Sequence, residues 1–171
     1  MHVLVDFTGG AVPAGWRPVD DVVMGGVSAS RVEAADGAAL FTGTVSLDHG
    51  GGFASIRGPV TERDLSACAG VAARVRGDGK TYRLRLYDAG RPDGLAWQAR
   101  FPTTGGDWET VILAFAAFEA SFRGRPVPGA APLDTRALRA AGFMIAERQA
   151  GPFRLEVAWV RGEGCLPGAA R

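Results

Sequence analysis

The sequence has no asparagine, a single lysine, two histidines and two cysteines among its 171 residues. Because the acceptor motif for N-glycosylation needs asparagine, this modification is excluded. Histidine-dependent catalysis and a histidine-rich metal site are also disfavoured, since His2 follows the first residue and His49 comes just before a run of glycines. These shortages predict a protein that is not an enzyme and that holds no metal or cofactor.

Long apolar runs and a large net charge are missing as well. No run of about 18 apolar residues is present to form a transmembrane helix, and Asp6 interrupts the apolar N-terminal run, so neither membrane insertion nor a signal peptide is expected. The formal net charge of +1 excludes a global field that would attract nucleic acid. Cys68 and Cys165 have no CxxC spacing, and a chain of this length can build a core without a disulfide. We therefore expect reduced cysteines and a cytoplasmic location.

Apolar and polar residues alternate along much of the chain, as in β-strands with one buried face. The 25 glycines and 10 prolines separate these segments in the manner of sandwiches and jelly rolls. The candidate strands are residues 3–7, 28–33, 38–47, 52–57, 71–76, 81–86, 95–101, 108–114, 142–147 and 153–159.

This pattern predicts an all-β fold, a two-layer antiparallel β-sandwich of the jelly-roll type that forms a single domain over residues 1–162. Residues 163–171 are expected to be a flexible tail, and residues 134–141 the one short helix, with Asp134 as its N-cap. The side chains expected to face the core are Tyr82, Leu84, Leu86, Phe153, Leu155, Val157 and Trp159.

The strands on either side of residues 77–80 are predicted to pair as a hairpin, with Val75 opposite Tyr82. This register places four arginines on one face. Like charges opposite each other destabilise a sheet, so either nearby acids such as Glu109 or Glu156 offset them, or the face binds an acidic segment or an anionic ligand. The four arginines are Arg74, Arg76, Arg83 and Arg85, and Arg57, Arg100 and Arg123 would extend the surface.

Three further features have both a structural and a functional interpretation. Asp20 and Asp21 are expected to form loop hydrogen bonds, with calcium ligation and glycoside hydrolysis as alternatives. Trp16 is either a plug at the edge of the core or a platform for a sugar ring. Of Gly25 and Gly26, at least one is predicted to have a positive φ. Asp21 and Trp16 are retained as candidate binding residues.

Several segments together resemble the complex I intermediate-associated protein 30 family over nearly the whole chain. The run Asp-Val-Val-Met-Gly-Gly-Val-Ser at 21–28 is the most specific, and Asp20 stands where the family usually has asparagine. The resemblance implies a galactose-binding-domain-like jelly roll, similar in shape to carbohydrate-binding modules, and mitochondrial members assist the assembly of respiratory complex I. The segments that carry it are residues 16–28, 41–43, 51–57, 76–82, 118, 122–125 and 151–156.

Taken together, these features predict a non-catalytic binding module that acts as an assembly or chaperone-like factor. Its partner would be another protein, such as a subunit or assembly intermediate of a respiratory complex. The alternative is a carbohydrate-binding module of jelly-roll type that binds an oligosaccharide. An exposed row of aromatic side chains on a concave face would favour the sugar, and an arginine-lined face without one would favour a protein or anionic partner.

Overall fold

The alternating segments form strands whose apolar sides meet in the centre of the molecule. The computed structural model describes residues 2–21, 25–89, 95–122 and 124–167, and only two short 3-10 helices interrupt the strands in this part of the chain, Asp48–Gly50 and Phe115–Ala117. The strands are β1 Val3–Asp6, β2 Arg17–Pro18, β3 Ala29–Ala35, β4 Ala38–Val45, β5 Ala54–Pro59, β6 Gly70–Asp78, β7 Thr81–Asp88, β8 Ala96–Pro102, β9 Gly105–Ala114, β10 Glu119–Phe122, β11 Arg125–Pro126, β12 Leu138–Ile145 and β13 Gly151–Glu163.

The strands make two antiparallel sheets. The six-stranded sheet has the order β3-β4-β13-β6-β9, and β1 pairs with the C-terminal part of β13. The seven-stranded sheet has the order β11-β10-β8-β7-β12-β5-β2. The predicted all-β antiparallel sandwich is therefore confirmed, and in the described residues no helix is long and apolar enough to cross a membrane.

The core lies between the two sheets. Tyr82, Leu84 and Leu86 of β7 are fully buried, as predicted, and so are Leu155 and Val157 of β13. Phe153 is also buried, and its ring meets the ring of Phe41 in an edge contact, with 4.8 Å between the ring centroids. Burying a side chain of this size stabilises a fold by about 2–3 kcal/mol, so this layer accounts for much of the cohesion between the sheets.

Trp159 is the exception among the residues expected in the core. The pairing of β13 with β6 is irregular between Val157 and Trp159, and the extra residue shifts the alternation by one. Val160 is consequently buried, while Trp159 stands half-buried on the outer face with the Arg161 guanidinium 3.8 Å from its ring centroid.

The predicted hairpin between residues 71–76 and 81–86 is wrong. β6 pairs with β9 and β13, whereas β7 pairs with β8 and β12, so the turn at Gly79 carries the chain from one sheet to the other. Thr103 holds this turn, because its hydroxyl donates to the Lys80 carbonyl at 2.7 Å and accepts from the Gly79 amide at 3.1 Å. Alternation determines which side of each strand is buried, but it does not determine the neighbouring strand.

The predicted helix over 134–141 is also wrong. Asp134 accepts a hydrogen bond from the Arg136 amide at 3.1 Å and thereby forms a turn, and β12 begins at Leu138. The residue pattern of this short segment is compatible with a helix or with a strand. Pairing with β5 on one side and β7 on the other stabilises the strand.

The two cysteines form a disulfide, and the prediction of reduced cysteines is wrong in this structure. Cys68 and Cys165 are 97 residues apart in the sequence, and they meet because β13 continues to Glu163 beside the start of β6. The Leu166 amide also donates to the Ala67 carbonyl at 2.9 Å, so the described part of the expected tail is held against the domain. Residues 168–171 lie outside the described residues, and the cytoplasmic location stays a prediction.

Candidate functional site: an arginine-lined cleft

A cleft of about 910 Å³ lies on the outer face of the seven-stranded sheet. Its floor consists of outward-facing side chains from β5, β7 and β12. The loop 50–53 that precedes β5 lines one side, and the turn between β10 and β11 lines the other. The polar and aromatic side chains around it are Asp21, Ser55, Arg57, Arg83, Arg85, Tyr87, Phe53, Phe122 and Arg125, so four arginines and one acid line the cleft.

Gly142 of β12 separates two arginines of the floor in the register of the sheet. In the register of the sheet, Gly142 pairs with Arg57 of β5 on one side and with Arg85 of β7 on the other. A Cβ on Gly142 would clash with the Ile56 carbonyl oxygen, so the backbone itself requires glycine here. The two arginine backbones are therefore two strand spacings apart, about 10 Å, with no side chain between them.

Tyr87 lies beneath the two arginines and fixes their position. The guanidinium carbons of Arg57 and Arg85 are 5.0 and 5.7 Å from the centre of its ring. Arg139 contacts the same ring at 5.8 Å, and its Nε donates to the Asp88 carbonyl at 2.9 Å. The tyrosine side chain is only 3% exposed as a result. Cation–π contacts of this kind hold the guanidinium groups in place at low cost in conformational entropy.

The charge of Arg85 is not compensated by an acid. Among the described residues, no carboxylate pairs with Arg85 or Arg57, and the Nε of Arg85 is buried without an acceptor. Burial lowers the pKa of Arg85, and the neighbouring charge of Arg57 lowers it further, although the contact with Tyr87 raises it. The side chain remains a cation at neutral pH. An anion in the cleft would relieve this unfavourable electrostatic environment.

Arg83 and Arg100 differ from these two because they share a carboxylate. Glu147 pairs with Arg83 and accepts from the Arg100 Nε at 3.2 Å. Glu147 adopts a left-handed backbone conformation with φ 56°, at the end of β12. One of the two arginines on β7 is thus neutralised within the protein.

Arg74 and Arg76 lie on the opposite side of the molecule and take no part in the cleft. Arg76 donates twice to Glu156, at 3.1 and 2.9 Å, and its guanidinium lies 5.1 Å from the centre of the Trp108 ring. Arg74 donates to the Thr110 hydroxyl at 3.2 Å. The single predicted surface of four arginines is therefore wrong, and the expectation that Glu156 offsets its neighbours is correct for Arg76.

Asp21 braces the loop that lines the cleft. Its carboxylate accepts from the Ser28 amide and hydroxyl at 2.9 and 2.6 Å and from the Gly52 amide at 2.8 Å, and the Phe53 amide lies 3.3 Å away. Burial raises the pKa of Asp21, but these hydrogen bonds outweigh that effect and hold the pKa below its ordinary value. Oδ2 accepts three of these hydrogen bonds and Oδ1 accepts one, so the carboxylate serves as a structural acceptor for the loop.

The rest of this motif is equally structural. Asp20 accepts from the Ser30 amide and hydroxyl at 2.9 and 2.7 Å and from the Ser55 amide at 3.0 Å. Gly25 has φ +87°, as predicted, and a Cβ on Gly26 would clash with the Asp21 carboxylate. The two acids tie the 20s loop to β3 and β5, as expected for loop hydrogen bonding.

Trp16 is a core plug and offers no platform for a sugar. Its ring is 7% exposed, stands perpendicular to the Phe7 ring at 5.1 Å and packs on Gly58, where no Cβ could be accommodated. Of the remaining candidates, Arg57, Arg83 and Arg85 line the cleft, and Arg123 lies outside the described residues.

The sequence reasoning overlooked Tyr87, Phe122 and Arg125. Tyr87 has the same parity as Arg83 and Arg85, so continuing the alternation by one step would have placed it on their face. Phe122 and Arg125 lie in the segment 122–125 that carries the family resemblance, but alternation does not place them in the cleft, because they reach it through the short strands β10 and β11.

Comparisons with known proteins agree on the fold. The sequence profile of the family described as complex I intermediate-associated protein 30 matches residues 5–157. No curated protein is significantly similar in sequence.

Among solved structures, a family 11 carbohydrate-binding module from Clostridium thermocellum, in complex with a β-1,3-1,4-mixed-linked tetrasaccharide, has 19% identity and a TM-score of 0.72, covering 96% of each chain. The family 11 module of the cellulosomal cellulase Lic26A-Cel5E of the same organism has 16% identity and a TM-score of 0.71, covering 99% of this chain and 98% of that one. The agarase AgWH50C has 12% identity and a TM-score of 0.62, covering 96% of this chain and 25% of the agarase. At these identities the likeness concerns the fold alone.

Proposed function

Because the chain belongs to the complex I intermediate-associated protein 30 family, we propose that it is a non-catalytic binding module that acts as an assembly or chaperone-like factor for another protein. Its binding surface is the cleft over the seven-stranded sheet. Family membership supports the class of function, and the chemistry of the cleft supports the kind of partner. A fold shared with other binding modules does not by itself select the ligand.

The observation that carries this proposal is the unbalanced charge of the cleft. Arg57, Arg83, Arg85 and Arg125 line it, and Glu147 is the one acid that pairs with any of them among the described residues. Potentials at an interface are usually complementary, so the partner presents acidic groups to this surface. The floor stands on strands of the sandwich, which keeps the arginines in place for binding.

The polar side chains of the cleft support the non-catalytic part of the proposal. The buried carboxylate of Asp21 and the half-buried one of Asp20 both accept backbone and serine hydrogen bonds, and no histidine lines the cleft among the described residues. General acid–base or nucleophilic catalysis needs a group that can exchange a proton with the substrate. This supports a role in binding without turnover.

A carbohydrate-binding function is the second candidate, because the solved structures with the same fold include a module bound to a tetrasaccharide. Sugar rings are usually held by stacking on open aromatic faces. In the cleft described here the central ring, Tyr87, is covered by guanidinium groups, while Phe53 and Phe122 are half-buried at its sides. The aromatic surface therefore favours the protein partner over a neutral sugar.

The test is capture of partners from extract of the native cell, with mass spectrometry, by wild-type protein and two double variants. Arg57→Gln with Arg85→Gln removes the charge of the cleft, and Arg154→Gln with Arg161→Gln removes the same charge from the opposite face. We expect the wild type and the second variant to retain the same protein, and the cleft variant to lose it. A protein set that is identical for all three would refute the cleft as the binding surface. Capture of no protein, or saturable binding of a neutral glucan in place of a protein, would refute the assembly role.

A further inference from the structure

We infer that the cleft binds an extended acidic stretch of polypeptide that runs across the strands, with one carboxylate between Arg57 and Arg85 and another at Arg125. This inference rests on the proposed function and specifies the chemistry of the partner segment. It is argued from the positions of the cleft arginines that form no ion pair with a carboxylate in the described part of the protein.

The first position lies between Arg57 and Arg85, which flank Gly142 in the register of the sheet on backbones about 10 Å apart. Their guanidinium carbons lie 5.0 and 5.7 Å from the centre of the same Tyr87 ring, so the N–H donors of both arginines are presented at one part of the floor, where guanidinium groups bind carboxylates. Because both guanidinium groups already lie on the Tyr87 ring, little conformational entropy is lost when they bind the anion.

Arg83 would be the other obvious anion ligand on this floor, but its contact with Glu147 removes it from the set. Arg125 forms no ion pair among the described residues, and it is exposed at the far side of the cleft. The unneutralised charges therefore form a line from β5 through β7 to β11.

The length of this line selects the size of the ligand. The first position lies at the level of β12 and the second on β11, which are four strand spacings apart in the sheet, or about 19 Å. A fully extended peptide covers this distance with about six residues, at roughly 3.4 Å per residue, so a heptapeptide reaches both positions. A single inorganic anion or a dipeptide can reach only one of the two positions.

A polypeptide fits the floor better than an acidic polysaccharide. Sugar acids also carry carboxylates, but pyranose rings gain much of their affinity from stacking on aromatic faces. Tyr87, the ring in the centre of the floor, is covered by the same arginines that bind the anion. A flexible peptide needs no such platform and can place glutamate or aspartate side chains at both positions.

The experiment uses the whole protein and fluorescent, end-blocked glutamate peptides of two, four and seven residues, measured by fluorescence anisotropy. A seven-residue glutamine peptide is the neutral control, and oligogalacturonate with the same number of carboxylates is the sugar arm. We expect the heptaglutamate to bind at least tenfold more tightly than both the diglutamate and the glutamine peptide. The tetraglutamate should lie between them.

The variants assign the two positions. Arg57→Gln and Arg85→Gln should each weaken heptaglutamate binding by about tenfold, as truncation of a desolvated charge contact does. Arg125→Gln should abolish the gain from four to seven residues and leave diglutamate binding unchanged. Arg161→Gln, whose guanidinium stacks on Trp159 on the opposite face, should bind all peptides like the wild type. If Arg57→Gln does not fold, Arg57→Lys is measured in its place, because it keeps the positive charge.

Three outcomes would overturn the inference: equal affinity for the glutamine and glutamate peptides, no dependence on peptide length, or tighter binding of oligogalacturonate than of the peptide. Failure of the proposed function is distinguishable, because in that case the wild type captures no partner protein from extract. A partner that is captured by the wild type and equally by the cleft variant would contradict the acidic-segment inference and the cleft as the binding surface, and would leave the assembly role intact.

Discussion

The two outer faces of the sandwich carry arginines in the same alternating pattern and use them in opposite ways. On the six-stranded sheet, Glu156 is buried between Arg76 and Arg154 and binds both, at 2.9 and 3.2 Å. On the seven-stranded sheet, Arg57 and Arg85 share a tyrosine ring and have no carboxylate among the described residues. An arginine row is therefore structural where the neighbouring strand supplies an acid, and available for a ligand where it supplies a glycine.

The largest expected difference between the two faces concerns the disulfide, which lies at the end of the six-stranded sheet. Replacing both cysteines, Cys68→Ser with Cys165→Ser, should lower the free energy of unfolding by about 4 kcal/mol, because the bond closes a loop of 97 residues. Peptide binding in the cleft should not change. Urea unfolding with and without reductant checks the first point, and a wild type insensitive to reductant would contradict it.

Removing the Asp21 hydrogen bonds that brace the cleft loop should have the next largest effect on stability. Asp21→Ala leaves the amides of Ser28, Gly52 and Phe53 without their acceptor and should cost about 3 kcal/mol of stability. Glu33→Ala, which removes an exposed partner of Arg31 on the opposite face, is the control and should unfold like the wild type. Equal midpoints of denaturation for the two variants would show that the brace is dispensable.

Acid should weaken the same brace. The folded-state pKa of Asp21 lies below its value in the unfolded chain, so its contribution is fully present above the unfolded pKa of about 4 and is lost as the pH falls through the folded pKa. Glu156 has a lowered pKa for a related reason: burial raises it, but the bonds from Arg76 and Arg154 outweigh burial. Thermal unfolding between neutral pH and about pH 2 should show a fall in stability in acid that is smaller in Asp21→Asn than in the wild type.

Charge reversal should separate the two faces without a large loss of stability on the cleft side. Arg76→Glu places a second acid against the buried Glu156 and should lower the melting temperature by about 5 °C, with heptaglutamate binding unchanged. Arg125→Glu should leave the melting temperature near that of the wild type and weaken heptaglutamate binding. If both variants affected the same property, the assignment of one face to stability and the other to binding would be wrong.

Salt should produce the smallest and most diagnostic effect. Raising ionic strength from about 0.05 to 0.5 M shortens the Debye length from roughly 14 to 4 Å and should weaken heptaglutamate binding by about tenfold. The melting temperature should change little, since the ion pair of Glu156 is buried on its acidic side. Salt-independent peptide binding would exclude the arginines as the main source of affinity.

Much of the fold was predictable from alternation and glycine spacing. The buried sides of β7 and of the first half of β13 follow directly from a period of two. The predictions of buried side and of element type are wrong in two places. At the bulge before Trp159 an extra residue interrupts the alternation, and at residues 134–141 the short segment fits both a helical and a strand periodicity. Both were decided by contacts with strands distant in sequence, which local patterns do not encode.

The candidate site was predictable only in part. Arg57, Arg83 and Arg85 were identified by residue type and parity, and the structure brings them together in one cleft. Arg74 and Arg76 likewise alternate with core residues on their own strand, but the chain changes sheets at Gly79 and they lie on the other side of the molecule. Tyr87 shows why parity alone is insufficient, since its role depends on three arginines from three different strands.

The sequence by itself determined the family, the all-β class and the buried side of the main strands, because these depend on residue order and on a period of two. Only the tertiary structure decided which strands pair, and with that which arginine meets an acid and which faces a glycine. The physical reason is that the decisive pairings join residues far apart in the sequence, such as Arg76 with Glu156 and Arg85 with Gly142. The same side chain therefore serves stability on one face and is available for a partner on the other.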